Sequence, residues 1–378
     1  MQKKLLIYET THYETLPALV ELALEQFEAI SIYADSADIY DSCRHFTACQ
    51  SSNIKWITKP SSTSNLQFIS QVFSDLESNN YSHFFVNSLD HNLYFFTRKL
   101  SRIYRNVHTV LNVHTIHDYT SSRYNSILNV SESLAKKKLH LVIKNCRVLA
   151  PAMPAYLKSR LPGLTVEYIP GMFYQPFPSP KFQETPFRIV VPGTVEEKRR
   201  DYEIIPTVVS LLAQKNRGRS IELVILGNSN TAFGKKLEKD IREVLPPTIS
   251  LIRFDRDVAY DTYSKYYSSA HIIWAPVKLN MESIRGVPEI NGLSNSAGLF
   301  VDFVHYAHPT LIPEVINFDD KLDPLFLRYT DPKDAADKIE TFLHNPNILV
   351  SQQEKIQSVC SAYTADKFRE AFKKLMAL

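Results

Sequence analysis

A strand-helix alternation that runs twice limits this chain's fold more than any other feature. Short runs rich in β-branched and aromatic residues, KLLIYE (4–9), AISIYAD (29–35), NIKWITK (53–59), HFFVNS (83–88) and HTVLNVH (108–114), are each followed by ten or more residues of helical spacing. A second series comprises FRIVVPG (187–193), IELVILG (221–227), TISLIRF (248–254), HIIWAPV (271–277) and HPTLIPE (308–314). Strands separated by helices pair in parallel, because a crossover of that length carries the chain back to the same edge. The expectation is an α/β protein with two Rossmann-like β/α/β domains facing a central cleft. A Pro-rich segment, YIPGMFYQPFPSPKFQETP (168–186), separates the series. The domains are therefore expected at 1–170 and 187–350, with a linker at 171–186 and C-terminal helices at 351–378 that pack back toward the first domain.

All nine glycines lie at 163 or later, so the first domain holds no Gly-rich phosphate loop and a nucleotide site belongs in the second. Gly193 and Gly227 end predicted strands, where open α/β sheets bind ligands. In EINGLSNSAG (289–298), Gly292 and Gly298 bracket the start of a helix through GLFVDFVHYA. Ser294, Asn295 or Ser296 would cap that helix, and its first-turn N–H groups, with the dipole behind them, suit a diphosphate. A diphosphate leaving group also needs cations, and GTVEEKRRDY (193–202) offers Thr194, Lys198, Arg199 and Arg200 after a glycine-ended strand. A solvated basic turn and an ordinary cap are the plain structural alternatives.

Charge is uneven along the chain. Residues 1–90 hold five Lys/Arg against eleven Asp/Glu, and 91–171 hold twelve against three. A basic face of that kind suits anionic headgroups or a charged acceptor, although solvated helix surface is the commoner cause. Four cysteines at 43, 49, 146 and 360 have no paired spacing with one another or with His, which argues against zinc and against a disulfide framework. No window reaches 18 consecutive apolar residues, and MQKKLLIYETTHYE has acids where a signal peptide needs an apolar core, so a cytoplasmic protein is expected. FDRDV (254–258) spells an acidic pair after a second-domain strand, where a nucleobase contact is expected rather than a metal.

The two β-α-β halves, PGTVEEKRRDY, the ILG at 225–227, the EINGLSNSAG box, HPTLIPE and the closing helices together resemble a GT-B glycosyltransferase, most like glycosyltransferase family 4. The box of that family usually reads E-x-F-G-L-x-x-x-E-A. Glu289, Gly292 and Leu293 match it in register, and Ala297 stands where the second acid, which commonly holds the donor ribose, would be. The resemblance implies a nucleotide-sugar donor held in the second domain by Gly193, Thr194, Lys198, Arg199, Arg200, Gly292, Leu293, Ser294, Asn295 and Ser296. It further implies His117 and Asp118 at the reacting centre, with His114 as a decoy, and Glu289 on the donor sugar, with Glu282 as its weaker substitute.

By the same resemblance the acceptor is a cell-surface glycan or glycolipid of bacterial polysaccharide biosynthesis. Transfer is retaining, no cofactor or metal is needed, nucleic acid is not a partner, and the enzyme sits in the cytoplasm in peripheral contact with the membrane. Two alternatives stand beside it: a non-catalytic GT-B relative that binds glycans or a partner protein, and a nucleotide-sugar epimerase, which needs an acid/base set that the sequence of the first domain does not show.

Overall fold

The computed structural model describes residues 3–124, 126–178, 186–216, 218–283 and 285–378, and of Ala297 the backbone only. It divides into two compact units, one of Met1–Phe173, Leu293–Ser296 and Thr364–Leu378, the other of Tyr174–Gly292 and Ala297–Tyr363. The change of unit falls between Phe173 and Tyr174. Of the expected linker, 179–185 lies outside the described residues.

The first unit is a seven-stranded sheet of β1 (Lys4–Glu9), β2 (Ala29–Ala34), β3 (Ile54–Thr58), β4 (His83–Val86), β5 (His108–Asn112), β6 (Asn145–Val148) and β7 (Thr165–Tyr168). Their order is β3-β2-β1-β4-β5-β6-β7, and every neighbouring pair is parallel. Burial on both faces explains why β1 and β4 read as unbroken apolar runs rather than alternating ones. Its helices are α1 (Leu16–Leu24), α2 (Ala37–Cys43), α3 (Asn65–Ser78), α4 (Leu93–Ile103), α5 (Ile116–Thr120), α6 (Ile127–Val142) and α7 (Met153–Arg160). Ser64 and Gln67 form a capping box that starts α3. Right-handed crossovers place α3, α4, α6 and α7 on one side of the sheet. There their apolar faces meet Leu6, Tyr8, Phe84, Val86 and Leu111 in a single core.

The second unit has a six-stranded parallel sheet in the order β10-β9-β8-β11-β14-β15. These strands are β8 (Phe187–Pro192), β9 (Ile221–Asn228), β10 (Ile249–Phe254), β11 (Ile272–Trp274), β14 (Thr310–Pro313) and β15 (Leu327–Tyr329). Between β11 and β14 the chain inserts an antiparallel hairpin, β12 (Asn280–Glu282) with β13 (Pro288–Ile290). Helices α8 (Ile204–Lys215), α9 (Ala232–Val244), α10 (Tyr260–Ser268), α11 (Ala297–Tyr306), α12 (Pro332–His344) and α13 (Pro346–Cys360) complete the unit. The last helix, α14 (Ala365–Met376), belongs to the first unit, whereas α13 stays with the second. His83 Nε2 and His108 Nε2 meet the carbonyls of Met376 and Leu375 at 2.9 Å, and Arg369 pairs with Glu25 at 2.6 Å.

Five short strands, β6, β7, β15 and the hairpin pair β12 and β13, were not foreseen. At three or four residues each they offer too few side chains for a period to show.

Candidate active site

In the second sheet the chain order reverses between β8 and β11, and the loops leaving their carboxyl ends are the natural ligand position of an open α/β sheet. Gly193 leaves β8 with φ +98°, a left-handed conformation that a side chain disfavours. A Cβ there would also collide with the guanidinium of Arg200, which lies directly against the glycine backbone. The loop is fixed from below by the buried Tyr202, whose hydroxyl donates to Gly193 O at 2.9 Å. Gly227 meets the other side of the same turn, since a Cβ on it would strike the Gly193 carbonyl, so its role is packing.

The three adjacent cations of this loop differ in their partners. Lys198 pairs with Glu282 on the hairpin at 2.8 Å, and Arg199 with Glu196 at 2.9 Å. Among the described residues Arg200 has no carboxylate partner: Nη1 donates to Thr194 O at 3.3 Å, and its buried Nε finds no acceptor. Its backbone is held by an antiparallel bridge to Val277, with Asp201 N donating to Pro276 O at 2.6 Å and Lys278 N to Arg199 O at 3.0 Å. The next ribbon follows on, because Asn291 donates from its backbone to Leu279 O at 2.9 Å and from Nδ2 to Lys278 O at 2.6 Å.

Hydrogen bonds thus connect the 193–202 loop through 276–279 to Asn291, with Glu289 and Gly292 on either side of that residue in the same unit. Glu289 is buried on β13, opposite Met281. Gly292, φ +85°, packs its backbone against Asn317 O. Gly298, in the first turn of α11, is exposed, and a Cβ there would meet nothing within 4 Å. The side chain at Ala297 lies outside the described residues.

Leu293, Ser294, Asn295 and Ser296 fall in the first unit instead. Ser294 O accepts from Ile116 N at 2.8 Å and Asn295 bridges Thr115, which sets this segment beside the turn into α5. Ser294 and Ser296 are buried. His117 Nε2 lies 2.6 Å from the Tyr156 hydroxyl. Arg160 donates to the same hydroxyl at 2.8 Å. Asp118 is committed to Lys136, which reaches its carboxylate at 2.9 Å and its carbonyl at 2.6 Å, and so ties α5 to α6.

A second polar centre went unpredicted. Where the first sheet's order reverses, between β1 and β4, the buried Glu9 carboxylate accepts from Thr11 N at 2.6 Å, His12 N at 2.5 Å, Ser88 Oγ at 2.5 Å and Asn87 Nδ2. Burial raises its pKa against those donors. His12 is desolvated too, yet Glu14 at 2.8 Å, with Glu9 and Asp90, lifts it to about 9. Its ring stacks on His114 at 3.9 Å, and burial beside that cation holds His114 well below its ordinary value. A signal was present in ETTHYE at the end of the first strand, a density of polar groups that a simple turn does not need.

No protein-family model matches the chain, and no curated protein sequence does. Its structure is similar to several solved ones. Pneumococcal O-GlcNAc transferase GtfA, in complex with UDP and GlcNAc, superposes with TM-score 0.60 at 9% identity over 100% of this chain and 99% of that one. UDP-GlcNAc 2-epimerase from Neisseria meningitidis does so with TM-score 0.56 at 14% identity over 99% of each. TarM superposes with TM-score 0.54 at 13% identity over 84% of this chain, which spans 59% of TarM's length. The chain has the two-sheet parallel α/β architecture of the GT-B fold that these proteins share.

Proposed function

We propose that the protein is a glycosyltransferase that takes a sugar from a nucleotide-sugar donor and passes it, with retention, to a cell-surface glycan or glycolipid. The observation that carries the reading is Arg200: a guanidinium with no carboxylate partner among the described residues, laid against a left-handed glycine at the switch point of the second sheet. A donor diphosphate there would meet a fork of N–H donors and the open first turn of α11, which stabilise charge as the glycosidic bond breaks without calling on a metal. Because the structure of GtfA is a complex with UDP and GlcNAc, UDP is the first nucleotide to try. Calorimetric titration with UDP, GDP and ADP should show one that binds. Arg200→Ala should weaken it by about 1.5 to 3 kcal/mol, the worth of a charged hydrogen bond, with the melting temperature unchanged. Equal affinity in the variant would remove Arg200 from the site.

A second reading, epimerisation of the nucleotide sugar itself, is favoured by the Glu9, His12 and Glu14 centre, which supplies acid/base groups in the first unit. Solvent deuterium entering the sugar without any acceptor would select it; acceptor-dependent release of nucleoside diphosphate would select transfer.

A further inference from the structure

On the first unit, α6 presents an outward face that a water-soluble surface does not account for. Ile127 is 89% exposed, Leu134 53% and Leu141 72%, and at intervals of seven residues they form one stripe about 21 Å long. Leu128, 81% exposed, and Tyr124, 57% exposed, widen its beginning. Lys138 is exposed on the stripe and Lys137 beside it, whereas the inward positions Ala135, Lys136 and Leu139 are buried. The neighbouring α4 packs along α6 on the same side of the sheet and shows Tyr94, Arg98 and Arg102 outward at intervals of four, with Arg105 exposed just beyond its end. Apolar side chains standing in water among five cations are the pattern of a surface that lies in a membrane interface.

We infer that this α4/α6 face docks on an anionic lipid bilayer, with Ile127, Leu134 and Leu141 entering the acyl boundary and Arg98, Arg102, Arg105, Lys137 and Lys138 at the headgroups. Charge decides against a second copy of the chain, because a twofold contact through α6 would set lysines against lysines. The leucines decide against a soluble polyanion, which would have no use for them. The inference does not rest on the proposed activity, since vesicle binding is measured without donor or acceptor.

The test is co-sedimentation of the full chain with vesicles of phosphatidylglycerol and phosphatidylcholine, set against phosphatidylcholine alone. Binding is expected only to the anionic vesicles, weakening as salt rises because headgroup attraction is screened. The triple variant Ile127→Ser, Leu134→Ser, Leu141→Ser and the charge variant Lys137→Glu, Lys138→Glu should each lose at least about tenfold in partitioning. All five positions are exposed, and unchanged melting temperatures would show both variants folded. Absence of binding, equal binding to neutral vesicles, or binding that ignores the three apolar residues would overturn the inference. So would a dimer in solution that the serine variant dissolves.

Discussion

Arg200 and Gly298 are the two residues at which the proposed donor site can be probed, and they call for different tests because their surroundings differ. Removal of the Arg200 guanidinium is expected to cost nucleotide affinity. Gly298 has space around it, a Cβ there meeting nothing within 4 Å, so Gly298→Val should leave the melting temperature within a few degrees. If diphosphate oxygens approach that backbone, nucleotide affinity should fall at least tenfold in the same variant. Calorimetry beside thermal melting separates the two effects, and intact binding would make Gly298 an ordinary helix residue.

His12 offers a pH measurement at the same scale. Its pKa in the folded protein, about 9, lies above the ordinary 6.5. Its stabilising contribution is therefore complete below about pH 6.5 and is lost as pH rises through about 9. Glu14→Gln removes the nearest carboxylate, so the His12 resonance in a proton NMR titration should move to a lower midpoint than in the parent. An unmoved midpoint would mean that Glu9 and Asp90 alone hold the proton.

Among the elements, α5 is too short to hold itself, with five residues against the dozen or more that an isolated helix needs. What fixes it is the Lys136 ammonium, whose side chain is 9% exposed and which binds both the carboxylate and the carbonyl of Asp118. Lys136→Met keeps most of the volume but removes the ammonium from its pair with Asp118, and breaking a buried pair in this way costs about 3 to 5 kcal/mol. Urea denaturation should show that loss, and hydrogen exchange should show it concentrated in α5. A loss below about 1 kcal/mol would mean that Asp118 finds water instead and remains available for chemistry.

Across the whole molecule, burial depresses three histidines to about 4: His83 in the first unit, His271 and His308 in the second. Each is neutral in the fold and hydrogen-bonded as such, His83 to the end of α14 and His271 Nδ1 accepting from Arg188 N at 2.9 Å. A histidine depressed from 6.5 contributes stability that is whole above that pH and drains away as pH falls toward 4. The melting temperature should therefore drop steadily between pH 6.5 and 4.5, before most carboxylates titrate. A flat profile over that window would show that these rings accept a proton without strain.

The amino-acid order alone determined the two parallel sheets, because buried strands of five to eight residues such as KLLIYE and IELVILG must be apolar throughout and the helices between them must be amphipathic. It also marked 193–202 as a candidate phosphate loop, since a glycine leaving a strand before a run of cations is a local signal. Which cations are paired was not local: Glu282, 84 residues away, takes Lys198, and only folding brings it there. The same holds for EINGLSNSAG, read as one box but divided after Gly292, because the backbone of Ser294 and Asn295 completes its hydrogen bonds with Thr115 and Ile116. The Glu9 and His12 centre draws on residues 9–14, 87–90 and 114, and no spacing announces it. Hydrogen bonds and ion pairs between distant segments are set by the path of the chain in space, and that path is decided by packing the two cores.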